Sequence, residues 1–320
     1  NADSVFDIDF NRFVAFRKNN GGLVTLFTHP NSHPYDSGLI IADGNGAVQK
    51  WLSKEDVRPL YYRNRVNAGL HVVSPKILES DICTQKVDLD RQLLKPLAGT
   101  GKMFVYDSPE YVKDMGTPDR FQLVTKDFVD GLVGGRNLNN KQKAIFLDRD
   151  GTINKYVGFL KDINNFELLD GAGEAIKKIN DSGYLAIVAT NQPVVARGDV
   201  SIEELQEIHN KMETLLGAEG AYLDGIFYCP HHPDKGFEGE RPEFKKDCDC
   251  RKPKIGLLTK ASERFNIDLT RSWMIGDSES DVLCGKNAGC KTAYIGRSAD
   301  ADICGYSLLE CVEKILKREK

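Results

Sequence analysis

The segment Asp148-Arg149-Asp150 closes a short apolar run, Ala144 to Leu147, and sets two carboxylates two residues apart. On an extended chain, residues two apart point the same way, so Asp148 and Asp150 can face one pocket with Arg149 turned away. One ionised carboxylate can attack phosphorus; the other can protonate the departing alkoxide and later take a proton from attacking water. Standing alone, such a pair is equally a solvated turn. Three further segments narrow the choice. Thr190-Asn191-Gln192 offers a hydroxyl and amides to phosphate oxygens, and Lys252 offers a cation to a transferring phosphoryl group. Gly276-Asp277 is followed four residues on by Asp281. Asp148 and Asp277 suit Mg2+, a hard ion that takes one or two carboxylates together with phosphate oxygens and water. Asp150 and Asp281 complete that acidic set, Asp281 directly or through water.

A second constellation is Cys229-Pro-His231-His232, paired with Cys248-Asp-Cys250 and followed at once by Arg251 and Lys252. Three thiolates and one imidazole suit a closed, tetrahedral Zn2+ site without a free position for chemistry, the imidazole coming from His231 or His232. A disulfide is disfavoured in a reducing compartment, and Cys248 and Cys250 are too close in sequence to bridge easily. A nucleic-acid finger is disfavoured too, because no recognition helix fits between the ligand pairs and the residues there are mixed in sign. Fixing the cysteines would fix Arg251 and Lys252.

These residues must be held at the ends of elements. Short β-rich runs, Ala144–Asp148, Tyr184–Thr190, Gly225–Cys229, Ser272–Asp277 and Thr292–Gly296, alternate with helical patterns. Ser201 and Glu204 form a capping box that opens one helix, and Gly183 follows another that starts near Gly173. Near-continuous apolar strands separated by helices predict an α/β domain with a doubly wound parallel sheet, whose reactive groups belong at the strands' carboxyl ends. Residues 129–143 are rich in Gly and Asn and lack a sustained apolar period. This places a linker over 131–141, between a first domain over 1–130 and a second over 142–320.

The chain has 320 residues, 41% hydrophobic and 28% charged, with a formal net charge of -4, so no general attraction for nucleic acid is expected. No membrane segment or signal pattern is visible, which predicts a cytoplasmic protein. Cys83, Cys284, Cys290, Cys304 and Cys311 read as small core residues.

The ordered set DxDGT, T-N-Q, Lys and GDxxxD resembles the haloacid dehalogenase superfamily of phosphotransferases. Within it, FLDRDGTIN (Phe146–Asn154), NFELLDG (Asn165–Gly171), TNQPVVARG (Thr190–Gly198), CPHHP through CDCRKP, and IGDSESD (Ile275–Asp281) resemble the heptose-1,7-bisphosphate 7-phosphatase family. The resemblance implies Mg2+-dependent hydrolysis of the 7-phosphate of a heptose bisphosphate, with Asp148 as nucleophile and Asp150 as proton donor. It places Thr190, Asn191, Gln192, Arg197, Arg251 and Lys252 around phosphate or sugar, and its spacing makes His231 the Zn2+ ligand with His232 at the surface. Pro193-Val194-Val195 and KYVGF (Lys155–Phe159) depart from the family pattern and are expected to line the sugar end. Histidinol-phosphate phosphatases share these motifs and are the rival assignment.

The first 130 residues resemble sugar-phosphate nucleotidyltransferases through NADSVFDID (Asn1–Asp9), WLSKED (Trp51–Asp56), RVNAGLHVVSPKIL (Arg65–Leu78) and VKDMGTPDRF (Val112–Phe121). This implies a partial Rossmann-like domain, a second Mg2+ site at Asp3 and Asp114, and sugar-phosphate contacts from Lys54 and Asn67. It also implies a nucleoside triphosphate, with GTP as the expectation. The Gly-rich basic nucleotide loop of that family is not visible, so an upstream portion is expected to be missing. The alternative is a region that binds sugar phosphate, or assembles, without turnover.

Overall fold

The computed structural model describes residues 3–79, 87–236, 238–298 and 300–318. The chain divides into two compact units, one of residues 1–59 and 64–139, the other of 60–63 and 140–320. Cys83 lies outside the described residues.

The first unit runs β1 (Ser4–Asp7), α1 (Phe10–Asn20), β2 (Val24–His29), β3 (Leu39–Ala42), β4 (Val48–Leu52), β5 (Val66–Val73), β6 (Met103–Asp107), β7 (Tyr111–Asp114), α2 (Pro118–Val129) and α3 (Leu132–Gly135). Its main sheet is mixed, in the order β4-β3-β5-β2-β6, with β2 and β6 parallel and the other pairs antiparallel. β1 and β7 form a separate antiparallel pair that sets Ser4 opposite Asp114. Val24, Leu26, Ile40, Leu94 and Met103 are buried in one core and Ile8, Phe13, Phe27 and Val112 in another. The span expected to be a linker is partly ordered structure. α3 occupies its start, and Leu138 is buried beside the Glu110 carboxylate, which accepts from its N–H at 3.0 Å.

The second unit runs β8 (Ala144–Leu147), α4 (Ala172–Asn180), β9 (Leu185–Asn191), α5 (Ile202–Ala218), β10 (Gly225–Cys229), α6 (Gly256–Phe265), β11 (Trp273–Gly276), α7 (Glu279–Asn287), β12 (Lys291–Ile295), β13 (Ile303–Gly305) and α8 (Leu308–Arg318). All neighbouring strands are parallel, in the order β10-β9-β8-β11-β12-β13. The order reverses between β8 and β11, and in such a sheet the crevice at that reversal is where ligands bind. β8 is buried at every residue because it lies inside the sheet. The Ser201–Glu204 capping box is present, with bonds of 3.0 and 2.6 Å. Leu60–Arg63 also belongs to this unit, and Tyr62 exchanges two hydrogen bonds with Thr214 of α5. β13 escaped the sequence reading because three residues carry too little pattern. No described helix is long and apolar enough to cross a membrane.

Candidate active site

At the reversal, β8 delivers Asp148 and β11 delivers Asp277, while Asp281 sits in the first turn of α7. One oxygen from each lies within 4.8 Å of the others. Lys252 Nζ stands 2.9 Å from Asp148 Oδ1 and 2.5 Å from Asp281 Oδ1. Burial disfavours the lysine's charge, but the two carboxylates outweigh burial and raise its pKa. Burial also raises Asp148, opposed by Lys252 and reinforced by Asp281. Asp277 is pushed up to about 6, by burial first and then by Asp148 and Asp281. Three carboxylates against one ammonium leave negative charge for a cation to balance. The donors are hard oxygens gathered within reach of one ion, so the set fits Mg2+. Asp281 Oδ2 already accepts from Ser278 N–H and Oγ–H, which makes Asp148 and Asp277 the freer ligands.

Gly151 makes the close approach possible. Its φ is +79°, and a Cβ there would lie 2.0 Å from Asp277 Oδ2.

The Asp150 side chain lies outside this cluster and is committed elsewhere. Arg149 does not turn away. Its fully buried guanidinium donates from Nε (3.2 Å) and Nη2 (2.9 Å) to Asp150 Oδ1, and from Nη2 to Oδ2 (2.8 Å). Strand alternation fails here because β8 ends at Leu147, one residue before the motif. Gln192 Nε2 donates to Asp150 Oδ2 (2.8 Å) and to Thr190 Oγ1 (3.0 Å), and Asn154 Nδ2 donates to Asp150 Oδ1 (3.0 Å). Gln192, expected on substrate, is instead buried against the Asp150 carboxylate. Arg149 and Asn154 were missed in those roles; their signal was proximity to the Asp pair within FLDRDGTIN.

Asn191 is likewise committed inward, through two hydrogen bonds to the backbone of Lys252. Val194 and Val195 are buried with Val200 and Leu205 and do not line the sugar end. The KYVGF segment is mostly exposed, and Phe159 lies 4.3 Å beneath the Arg197 guanidinium.

In the cysteine loop, Cys229, Cys248 and Cys250 place their sulfurs 3.1 to 3.5 Å apart, with His231 Nδ1 3.4 Å from Cys250 and 3.7 Å from Cys229. These separations exceed a covalent S–S bond of about 2.05 Å, so the thiols are unpaired. Cys250 is driven down to about 5, foremost by the Cys229 thiol. Three sulfurs and a ring nitrogen converging this way fit Zn2+. His232 is only partly exposed. Its side chain is only 15% exposed, and its pKa is lowered by burial and then by the charge of Arg251, with Lys245 and Arg197 adding to the effect.

In the first unit, Lys54 and Asn67 come together in a cavity of about 340 Å3, with Trp51, Asp90, Arg91 and Lys95 also in its wall. Asn67 Oδ1 faces His71 Nε2 at 3.0 Å, and its Nδ2 points to Asp90 at 3.4 Å. Asp3 and Asp114 both approach Gly116, where a Cβ would lie 2.9 Å from Asp114 Oδ1 and 3.8 Å from Asp3 Oδ2. Asp114 is ion-paired with Arg120.

Residues 249–303 match the HAD-hydrolase-like family model. The chain is 42% identical over 161 residues to the D-glycero-beta-D-manno-heptose-1,7-bisphosphate 7-phosphatase of Haemophilus ducreyi, covering 50% of this chain and 86% of that protein. It is 40% identical over 187 residues to the enzyme of the same name from Haemophilus influenzae, covering 56% and 98%. A HAD-like protein of solved structure from Mesorhizobium loti is 29% identical, with a TM-score of 0.50 over 56% of this chain and 87% of that one. Through its second unit, the chain belongs to the D-glycero-beta-D-manno-heptose-1,7-bisphosphate 7-phosphatase family.

Proposed function

We propose that the second unit hydrolyses the 7-phosphate of D-glycero-D-manno-heptose 1,7-bisphosphate through a phosphorylated Asp148. The observation that carries this reading is the placement of Lys252 between Asp148 and Asp281, with Asp277 beside them, at the reversal of the sheet. An Asp148 oxygen attacks phosphorus as the P–O bond to the sugar breaks, and the departing alkoxide takes its proton from Asp150. Water then attacks the same phosphorus and gives a proton to Asp150. Phosphate leaves and the Asp148 carboxylate is restored. Thr190 offers its hydroxyl to the phosphoryl group, and Lys252 meets the charge that develops on it. Mg2+ held by Asp148 and Asp277, with Asp281 beside them, would supply further charge neutralisation at the phosphoryl oxygens.

Zn2+ held by Cys229, His231, Cys248 and Cys250 would brace the loop that presents Arg251 and Lys252. The likeness to heptose bisphosphate phosphatases over the second unit favours a heptose bisphosphate over histidinol phosphate. The test is phosphate release from both anomers of the heptose bisphosphate and from histidinol phosphate, with Asp148→Asn as control. Release that survives Asp148→Asn would refute the mechanism, and activity on histidinol phosphate alone would refute the substrate.

A second reading concerns the first unit. The convergence of Lys54 and Asn67 on one cavity favours a sugar 1-phosphate ligand there, the same chemical species that 7-phosphate removal produces. Asp3 and Asp114 would hold a second Mg2+ once Asp114 is released from Arg120, and the nucleotide partner would be GTP. Titration with heptose 1-phosphate and with GTP separates the possibilities: sugar phosphate alone marks a binding module, both ligands a nucleotidyltransferase, and neither ends this reading.

A further inference from the structure

His209 lies in α5 and is 1% exposed, yet no step above uses it. Its Nε2 stands 3.4 Å from Nη1 of Arg149, the guanidinium whose opposite edge, Nε and Nη2, grips Asp150. A guanidinium is planar and rigid, so holding Nη1 fixes the direction in which the Nε/Nη2 fork points. An Nη1–H that donates to Nε2 needs the neutral imidazole with its proton on Nδ1. Burial, and then the charge of Arg149, both keep His209 from protonating. The ring is held on another side by Tyr228, its centroid 5.5 Å away.

Resting on the phosphatase reading, we propose that His209 is a positioning residue for proton transfer: it orients Arg149, and Arg149 orients the Asp150 carboxylate that serves the leaving alkoxide. His209 touches neither substrate nor the attacked phosphorus. Gln192 and Asn154 also hold Asp150, so its misplacement should be partial. The expected loss is about tenfold, below the 10²–10⁴ typical of removing a general acid outright.

The experiment compares His209→Phe, which keeps a ring and removes the acceptor, with His209→Gln, which returns an acceptor near the Nε2 position. His209→Leu replaces the Phe variant should that protein not fold, and thermal unfolding confirms the fold of each. Two substrates are used with Mg2+ present: heptose bisphosphate, whose alkoxide needs a proton as it leaves, and p-nitrophenyl phosphate, whose phenolate leaves without one. With Phe, kcat on the sugar phosphate should fall about tenfold while KM stays within about twofold. The pre-steady-state burst of nitrophenolate should change far less, and Gln should restore most of the sugar-phosphate rate. Equal losses on both substrates, a rise in KM alone, no restoration by folded Gln, or an unchanged rate would each overturn the proposal. Asp150→Asn runs alongside. If it leaves sugar-phosphate turnover intact, the acid/base reading itself fails; if it abolishes turnover while His209→Phe does nothing, only this inference fails.

Discussion

Asn191 closes a ring of two hydrogen bonds on the backbone of Lys252: its Oδ1 accepts from Lys252 N–H at 3.0 Å, and its Nδ2 donates to Lys252 C=O at 3.1 Å. The lysine is therefore located from two directions. Asn191 fixes it from the end of β9, and a metal bound by the cysteine cluster would fix it from Cys250, two residues earlier. The ammonium that meets Asp148 and Asp281 is thus carried on a backbone with little freedom, and a preorganised cation meets developing charge without reorganising.

Asn191→Ala should therefore lower kcat. Two net hydrogen bonds are worth about 1–3 kcal/mol together, so a fall of about 5- to 150-fold in phosphate release is expected. Asn191→Asp should not rescue it, because a carboxylate cannot donate to the Lys252 carbonyl. Steady-state assays with circular dichroism as a folding check decide the matter. A kcat within about twofold of the parent enzyme would mean that Asn191 does not position Lys252 for catalysis.

Much of this arrangement was legible in the sequence, and the misses share a cause. Asp148, Asp277 and Lys252 stand at strand ends or directly after a recognisable loop, where strand periodicity and residue type both point to the crevice. Asn191, Gln192 and Arg149 carry polar groups that suit phosphate equally well, and only three-dimensional pairing shows that they are spent on the protein itself. Val194 and Val195 were assigned to the sugar end from a departure in pattern. Their apolar side chains instead found a core with Leu205, which burial favours. Arg149 was misplaced because the alternation rule was carried one residue beyond the strand. In the first unit, Lys54 and Asn67 were named separately, and their shared cavity depends on the pairing of β3 with β4 and β5, which no local pattern specifies.

Gly151→Ala should abolish activity while the rest of the sheet persists. The substitution places a methyl group 2.0 Å from Asp277 Oδ2 in a backbone conformation, φ +79°, that costs an L-residue roughly 1–2 kcal/mol before any clash. The Asp277 carboxylate must then shift from its place beside Asp148. Calorimetric titration with Mg2+ or Mn2+ should show weakened binding, and phosphate release should fall by more than about 10²-fold. Parent-like metal affinity in the variant would show that the Gly151–Asp277 approach is not needed for the site.

Removing metal from the cysteine loop should lower activity without touching the reacting groups. Cys250 precedes Arg251 and Lys252 directly, so loosening Cys229, Cys248 and Cys250 releases one of the two anchors on the lysine. Protein stripped by a zinc-selective chelator and returned to excess Mg2+ should lose thermal stability and at least about half its kcat, and both should recover on adding Zn2+. Cys248→Ser should behave as the stripped protein does. Full activity in protein shown by elemental analysis to be zinc-free would remove the bracing role.

His29, the last residue of β2, should make the first unit sensitive to acid. Burial foremost, with Arg65 adding to it, holds its pKa down to about 4, against 6.5 in an exposed chain. The depressed value means that the unfolded chain takes up the proton first. The associated stability is fully present above pH 6.5, is lost as pH falls from 6.5 towards 4, and falls no further once both states are protonated. The shift corresponds to roughly 3 kcal/mol across that window. Denaturant midpoints measured by tryptophan fluorescence from pH 7 to pH 4 should therefore fall, and His29→Gln, which cannot take a proton, should flatten the fall. An equally steep decline in His29→Gln would assign the acid sensitivity to other groups.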